Sequence, residues 1–300
     1  MSRQFLVINY AVAVSALAVV FSVSANAGLQ RTFVSTAGDD ANTSASCAPS
    51  APCRTFAAAL SVTNAGGEIV VLTSGGYGPA TISQPVVITA IGVNASISTI
   101  TGGANGLTIN TTGNVTLIGL NLHGEGVGND GILVQQVGFL RLYNMLIENF
   151  TANGVDFEVS GKLAMYNSAV NDNASNGLAV NNGSANAYVQ NISFDHNSIG
   201  AGVSSGQLVV ADSVATNGTS GFVSTGGTVT LVNDRAAFNG TGLQASGGGT
   251  LIFASCVIAN NTTAYNVAGG STMEGTLPGT TLIAPGQGAT GTLGTAITLQ

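Results

Sequence analysis

Along most of the chain, apolar and polar positions alternate in short runs of two to four apolar residues, and the runs recur with a fixed period. From residue 131 to 263 one motif is written six times. Its leading glycines, Gly131, Gly154, Gly177, Gly200, Gly221 and Gly242, recur every 21–23 residues. A second glycine follows six or seven residues later, at Gly138, Gly161, Gly183, Gly206, Gly227 and Gly248. Next comes an alternating segment such as Leu140-Arg141-Leu142-Tyr143, Leu163-Ala164-Met165-Tyr166 or Leu251-Ile252-Phe253. A turn residue ends it: Asn144, Asn167, Asn191, Asp212, Asn233 or Asp234, and Ser255. A short apolar step and another Asn close the repeat.

A period of this length signals a solenoid or a propeller, and a propeller blade needs about 40–50 residues for its four strands. A leucine-rich repeat fits the length but needs many more leucines. Three short strands per turn remain, each pairing with the turns above and below at about 4.8 Å. Asn suits a fixed corner, because it tolerates left-handed backbone and its amide can bond to the same position one turn away. The other corners are expected to use glycine at positive φ. The predicted architecture is all-β: one parallel β-helix of about nine or ten coils, with a short N-terminal capping helix.

The Gly…Gly…Asn…Asn coils, with the lead-in segments 32–40 and 52–60, resemble the right-handed parallel β-helix proteins of the pectin-lyase-like superfamily. Within it, the chain is most similar to secreted bacterial β-helix repeat proteins of uncharacterised function. The resemblance covers most of the chain after residue 27. It implies the fold, and it leaves lyases, hydrolases, epimerases, phage tailspikes and adhesins all open as functions.

Residues 1–27 read as a secretory leader, with Arg3 at its start, an apolar core at 11–21 and Ala25-Asn26-Ala27 as the cleavage site. The expected layout is a leader at 1–27, a strand, loop and capping helix at 28–65, and the β-helix at 66–300 with an irregular C-terminal end. A secreted, periplasmic or extracellular bacterial location follows from the leader. No membrane span is expected after it. Cys47 and Cys53, six residues apart and flanked by Pro49 and Pro52, are expected to form a local disulfide in such a compartment. The helix is expected over 54–65, with Phe56, Ala59, Leu60 and Thr63 on one face and Gly66-Gly67 stopping it. Final strands are expected near 282–284 and 296–299.

Only 6% of the residues are charged, far below the usual ~25%, and the net charge is −7. No basic patch exists to neutralise phosphates, so nucleic acid is not an expected partner. No cofactor or metal site is expected. Ca²⁺ at Asp39-Asp40 competes with a plain solvated turn, and the Gly-Gly-x-Gly-x-Asp repeat of Ca²⁺-binding β-rolls is absent.

Parity then separates core from surface. Counting from the corner Asn, positions −4, −2, +1 and +3 point inward: Leu140, Leu142, Met145 and Ile147, then Leu163, Met165, Ser168 and Val170. The outward strip carries Arg141 and Tyr143, then Lys162 and Tyr166, then Tyr188 and Gln190. Tyrosine faces stack on sugar rings, and Arg or Lys pairs with uronate carboxylates. The competing reading is ordinary strand tyrosines packing on their neighbours. The outward +4 column carries His123, Glu148, Asn171 and Asp195, with Asp172 and His196 one residue on. Neighbours in it lie about 5 Å apart, a separation that suits a carboxylate pair or a His–acid pair in acid–base catalysis. The competing reading is a solvated polar column.

The superfamily's motifs match only in fragments. Pectate-lyase-like enzymes place acidic Ca²⁺ ligands beside an Arg or Lys, and Arg141 and Lys162 match in type alone. His123-Gly124 matches one of the polygalacturonase-like motifs, and Asp195-His196 is loosely similar to an epimerase Asp-Pro-His. The Asn-x-Ser/Thr sequons at Asn149, Asn173, Asn191, Asn217 and Asn239 fall where corners already require Asn. Cys256 is expected to be a buried thiol and not a nucleophile. Two function classes remain, with a purely structural role as a third. The first is a non-catalytic surface or adhesion-type scaffold that binds polysaccharide or cell-surface glycan through Arg141, Tyr143, Lys162, Tyr166 and Tyr188. The second is a polysaccharide lyase, glycoside hydrolase or uronan epimerase acting through Glu148, Asp195 and His123 or His196.

Overall fold

The computed structural model describes residues 29–275 and 282–294. The expected leader at 1–27 and the strand at 296–299 lie outside them. The chain winds into a right-handed parallel β-helix of about nine turns. One turn consists of Ile132–Gln136 in sheet 1, Phe139–Tyr143 in sheet 2 and Leu146–Glu148 in sheet 3. Each strand pairs in parallel with its counterpart in the next turn, as Leu142 does with Met165 and Ile147 with Val170.

Parity and register together build the core. Leu117, Leu142, Met165, Val189, Val210, Leu231 and Phe253 are successive partners across sheet 2 and are all buried. The eight positions assigned inward from residue 140 to 170 are likewise buried. Stacking replaces depth here: a turn of 21–23 residues has no core of its own, and burial comes from the turns on either side.

The corner between sheets 2 and 3 is the asparagine position. Asn144, Asn167, Asn191, Asp212, Asn233 and Ser255 all have φ between 50° and 61°. Asn191 Nδ2 donates to Asn167 Oδ1 at 2.8 Å, and Asn233 Nδ2 donates to Asp212 Oδ1 at 2.7 Å. This makes Asn233 the corner residue and turns Asp234 inward. The corner after sheet 3 is also left-handed, at Asn149, Asp172, His196, Asn217, Phe238 and Asn260. The next residue inward forms a buried carboxamide ladder. Asn197 Nδ2 donates to the Val170 carbonyl at 2.7 Å, while its Oδ1 accepts from the Asn173 backbone N at 3.1 Å and Nδ2 at 2.9 Å. Asn239, Asn261 and Gln287 repeat the pattern.

The leading glycines have a different cause from the one expected. None of the six has positive φ. A Cβ on Gly154, Gly177, Gly200 or Gly221 would come within 2.6–2.7 Å of the carbonyl oxygen of the glycine one turn on. They are small because the backbones of successive turns touch there.

At the N-terminus the helix is shorter than expected. It spans Phe56–Val62, with Thr55 as its N-cap and Phe56, Ala59 and Leu60 buried. It stops before Gly66 because Thr63 is already extended and begins a strand, donating its hydroxyl back to the Ala59 carbonyl at 2.7 Å. Asp39 caps a 3₁₀ turn through Ala41 N, and Asp40 accepts from Arg54 N, Thr55 N and the Thr55 hydroxyl at 2.8–3.0 Å. Both carboxylates therefore serve as internal acceptors, and Asp40 ties the loop to the helix. Cys47 and Cys53 are disulfide-bonded. Phe33 N donates to the Cys47 carbonyl and Cys53 N donates to the Phe33 carbonyl, so the cross-linked loop covers the outer edge of the first strand, Leu29–Val34. At the other end Leu282–Ile283 pairs with Val257–Ala259. Among the described residues no helix is long and apolar enough to cross a membrane.

Candidate functional site

The outward face of sheet 2 brings the tyrosines together. Tyr143 and Tyr166 are strand partners, and their rings stack with centroids 5.3 Å apart at an interplanar angle of 10°. Tyr188 pairs with Ala164, one column over, and its ring leans across that small residue to lie 5.9 Å from Tyr166. Its hydroxyl donates to Gln190 Oε1 at 3.2 Å. Burial and the nearby Tyr166, Asp212 and Asp234 raise its pKa, so the hydroxyl stays a neutral donor at physiological pH.

Arg141 lies on the same face, its guanidinium 3.8 Å from the centre of the Phe139 ring. Phe139 pairs with Lys162 in the next strand. A depression of about 320 Å³ on one side is lined by Phe139, Lys162, Tyr166, Tyr188 and Val209. A second, of about 480 Å³, is lined by Pro85, Val87, Thr116 and Arg141. Val87, Thr116, Arg141, Ala164, Tyr188 and Val209 are successive register partners, so the two depressions lie in line along the helix axis. All five residues assigned to ligand binding therefore sit on one face.

Of the four residues assigned to catalysis, His123, Glu148 and Asp195 lie on sheet 3 and His196 at the corner after it, around the asparagine corner from the tyrosines. They form two separate pairs. His123 and Glu148 are register partners, with Nδ1 and Oε1 2.9 Å apart. Asp195 lies two turns beyond Glu148, past Asn171, whose Oδ1 accepts from Asp195 N at 3.1 Å. His196 Nδ1 is 2.8 Å from the carboxylate of its chain neighbour Asp195. Burial alone would raise the Asp195 pKa, but hydrogen bonds from Thr216, Asn217 and His196 outweigh it and hold the carboxylate below its ordinary range. The same contact with Asp195 raises His196. That contact holds the Asp195–His196 pair in place and keeps the Asp195 carboxylate ionised. None of the depressions described here is lined by these four residues.

The structure adds carboxyls that the pattern did not single out. Asp156, on the outward side of sheet 1, is only 8% exposed. Burial, with Asp130 and Glu158 nearby, raises its pKa to about 6 against hydrogen bonds from Asn181 and Asn153. Asp130 is raised too, first by burial, although Asn153 donates to it twice. Asp234, 2% exposed, is pushed by burial up to about 7 despite accepting from Ser213 N and Val232 N. Glu158 also lines a polar cleft of about 580 Å³ with Gln135, Gln136, Ser160 and Asn182. Cys256 is buried, its thiol donating to the Ala254 carbonyl and its pKa pushed by burial up to about 11. Among the described residues no group of three or more His, Cys, Asp or Glu is placed to hold a metal ion.

No protein-family profile and no curated protein sequence matches the chain. Solved structures do. The chain is similar to pectate lyase Pel9A at 15% identity, covering 85% of this chain and 77% of that one, with a TM-score of 0.64. It is similar to XylC, solved in complex with xylose, at 9% identity, 82% and 69% coverage and a TM-score of 0.61. A rhamnogalacturonan lyase matches at 12% identity over 88% and 85% of the two chains, with a TM-score of 0.53. At these identities the likeness is one of fold: the parallel β-helix.

Proposed function

We propose that this is a secreted, non-catalytic β-helix protein that holds a polysaccharide or cell-surface glycan along the outer face of sheet 2. The layout read from the sequence goes with it: a leader at 1–27, a capping segment at 28–65 and a binding rod at 66–300. The observation that carries the reading is the stacked Tyr143–Tyr166 pair, extended by Tyr188 and flanked by Arg141 and Lys162 between two aligned depressions. Aromatic faces take the apolar side of a sugar ring, and the two cations suit uronate carboxylates. The strand spacing of about 4.8 Å repeats the platform along the rod. The Cys47–Cys53 disulfide supports an oxidising, extra-cytoplasmic setting.

The alternative is a lyase, hydrolase or epimerase. The His123–Glu148 contact is the observation in its favour. Against it, the candidate acids and bases are split between two pairs on a different sheet from the tyrosines, and catalysis needs them to converge on one reacting centre.

Affinity electrophoresis through gels containing polygalacturonate, alginate or xylan tests the binding reading. Retardation of the unaltered protein, weakened about tenfold by Tyr166→Ala, is the expected result; tenfold corresponds to about 1.4 kcal/mol. Equal retardation of the two proteins would refute a tyrosine platform.

A further inference from the structure

Phe238 breaks the rule of its own column. The corner after sheet 3 is left-handed in six successive turns, and its other members are Asn149, Asp172, His196, Asn217 and Asn260. Asn and Asp tolerate that backbone because their short polar side chains bond locally; a bulky aromatic at positive φ is an outlier. Phe238 has φ 60° and is 53% exposed. It therefore strains the backbone and leaves most of its apolar ring in water. Six other phenylalanines (Phe56, Phe150, Phe157, Phe194, Phe222 and Phe253) are buried. A residue that costs the fold twice, locally and by exposure, points to a use outside the fold.

Its surroundings indicate which use. The guanidinium of exposed Arg235 lies 5.9 Å from the Phe238 ring centre. By register Asn217 and Asn260 stand on either side, one turn away each. Asn217 Nδ2 is held by Asp195 Oδ1 at 2.7 Å, which fixes its amide in place. An exposed aromatic ring flanked by carboxamides and a guanidinium offers one stacking surface and several hydrogen-bonding groups for hydroxyls. We propose that Phe238, with Arg235, Asn217 and Asn260, forms a second sugar-stacking site, on sheet 3. One rod then holds two glycan segments, one on each side of the asparagine corner. The ligand class rests on the glycan-binding reading of sheet 2; the assignment of the site rests on Phe238 itself.

The chain contains no tryptophan, so Phe238→Trp places a single fluorescent reporter at the site. The probes are oligomers of galacturonate, mannuronate and xylose, titrated into the full protein carrying this substitution. A saturable shift in tryptophan emission with at least one probe is the expected result. The shift must persist when Tyr143→Ala and Tyr166→Ala are added, which separates this site from sheet 2. A flat titration with all three probes, while sheet 2 still retards in the gels, overturns the second site and leaves the first reading standing. A shift without retardation does the reverse. Phe238→Asn supplies an independent check, because Asn suits the column. Its melting temperature is expected to rise by about 2–4 °C. A clear fall would mean that the ring serves the fold, and would overturn the proposal.

Discussion

Single residues carry two kinds of constraint in this molecule, and they respond differently to substitution. The leading glycines are set by contact with the next turn. Gly177→Ala would put a Cβ within 2.6 Å of the Gly200 carbonyl and 2.7 Å of the Phe194 ring. Overpacking of this kind costs about 1–3 kcal/mol, which urea denaturation would register as a lower midpoint with unchanged slope. The buried asparagines are set by hydrogen bonding. Asn197→Ala leaves the Val170 carbonyl and the Asn173 amides without their partner, a loss of about 1–3 kcal/mol by the same measurement. The asparagine corners were legible in the sequence, because left-handed backbone selects Asn and the spacing repeats. The reason for the glycines was not: a close approach between turns and a positive φ ask for the same residue. Asp156 and Asp234 escaped for another reason. Parity says which way a side chain points, and Asp156 points outward, yet Asn153 and Asn181 hydrogen-bond over it. Asp234 depended on choosing between two adjacent turn residues, a shift of one position that moves a carboxyl from water to the interior.

Among the elements, the N-terminal cap is the least regular and the most local. Phe56, the first residue of the helix, is fully buried, with its ring centre 5.2 Å from that of Tyr77. Phe56→Ala is expected to cost about 3–5 kcal/mol. Thermal unfolding followed by circular dichroism should show it as a large loss of melting temperature, since the first turn would lose its cover. The helix itself was legible from its apolar spacing and its length was not, because Thr63 is claimed by a strand that pairs it with Leu29, and its hydroxyl lies 2.7 Å from that of Thr32. The relation between the candidate sites was hidden for a similar reason. Spacing places the tyrosines and the His–acid pairs in separate columns, but only the corner at Asn144 shows that those columns face different directions.

The whole molecule couples its charge to its stability in an unusual direction. Folding raises the carboxyl pKa values of Asp156 to about 6 and Asp234 to about 7, from an ordinary value of 3.8. A carboxyl raised in this way keeps a proton that the unfolded chain has released. Its contribution is therefore complete below about pH 4 and is lost as the pH rises through about 6 and about 7. His196, also raised, acts in the same direction, while the depressed Asp195 and Asp212 act below pH 4 and do not oppose it. Melting temperature should fall steadily from pH 5 to pH 8; a profile that rises across that window would contradict the burial of these carboxyls. Low overall charge, stacked turns and an acid-favouring interior together describe a rod, and sheet 2 is its proposed binding face.

That face is tested most directly by incubating the purified protein with polygalacturonate, alginate, rhamnogalacturonan and xylan, with and without Ca²⁺. Product chain length would be followed by mass spectrometry, and bound protein measured in the same samples. The account requires retained protein and intact chains throughout. Shortened, unsaturated or epimerised products would contradict it and move attention to His123, Glu148, Asp195 and His196.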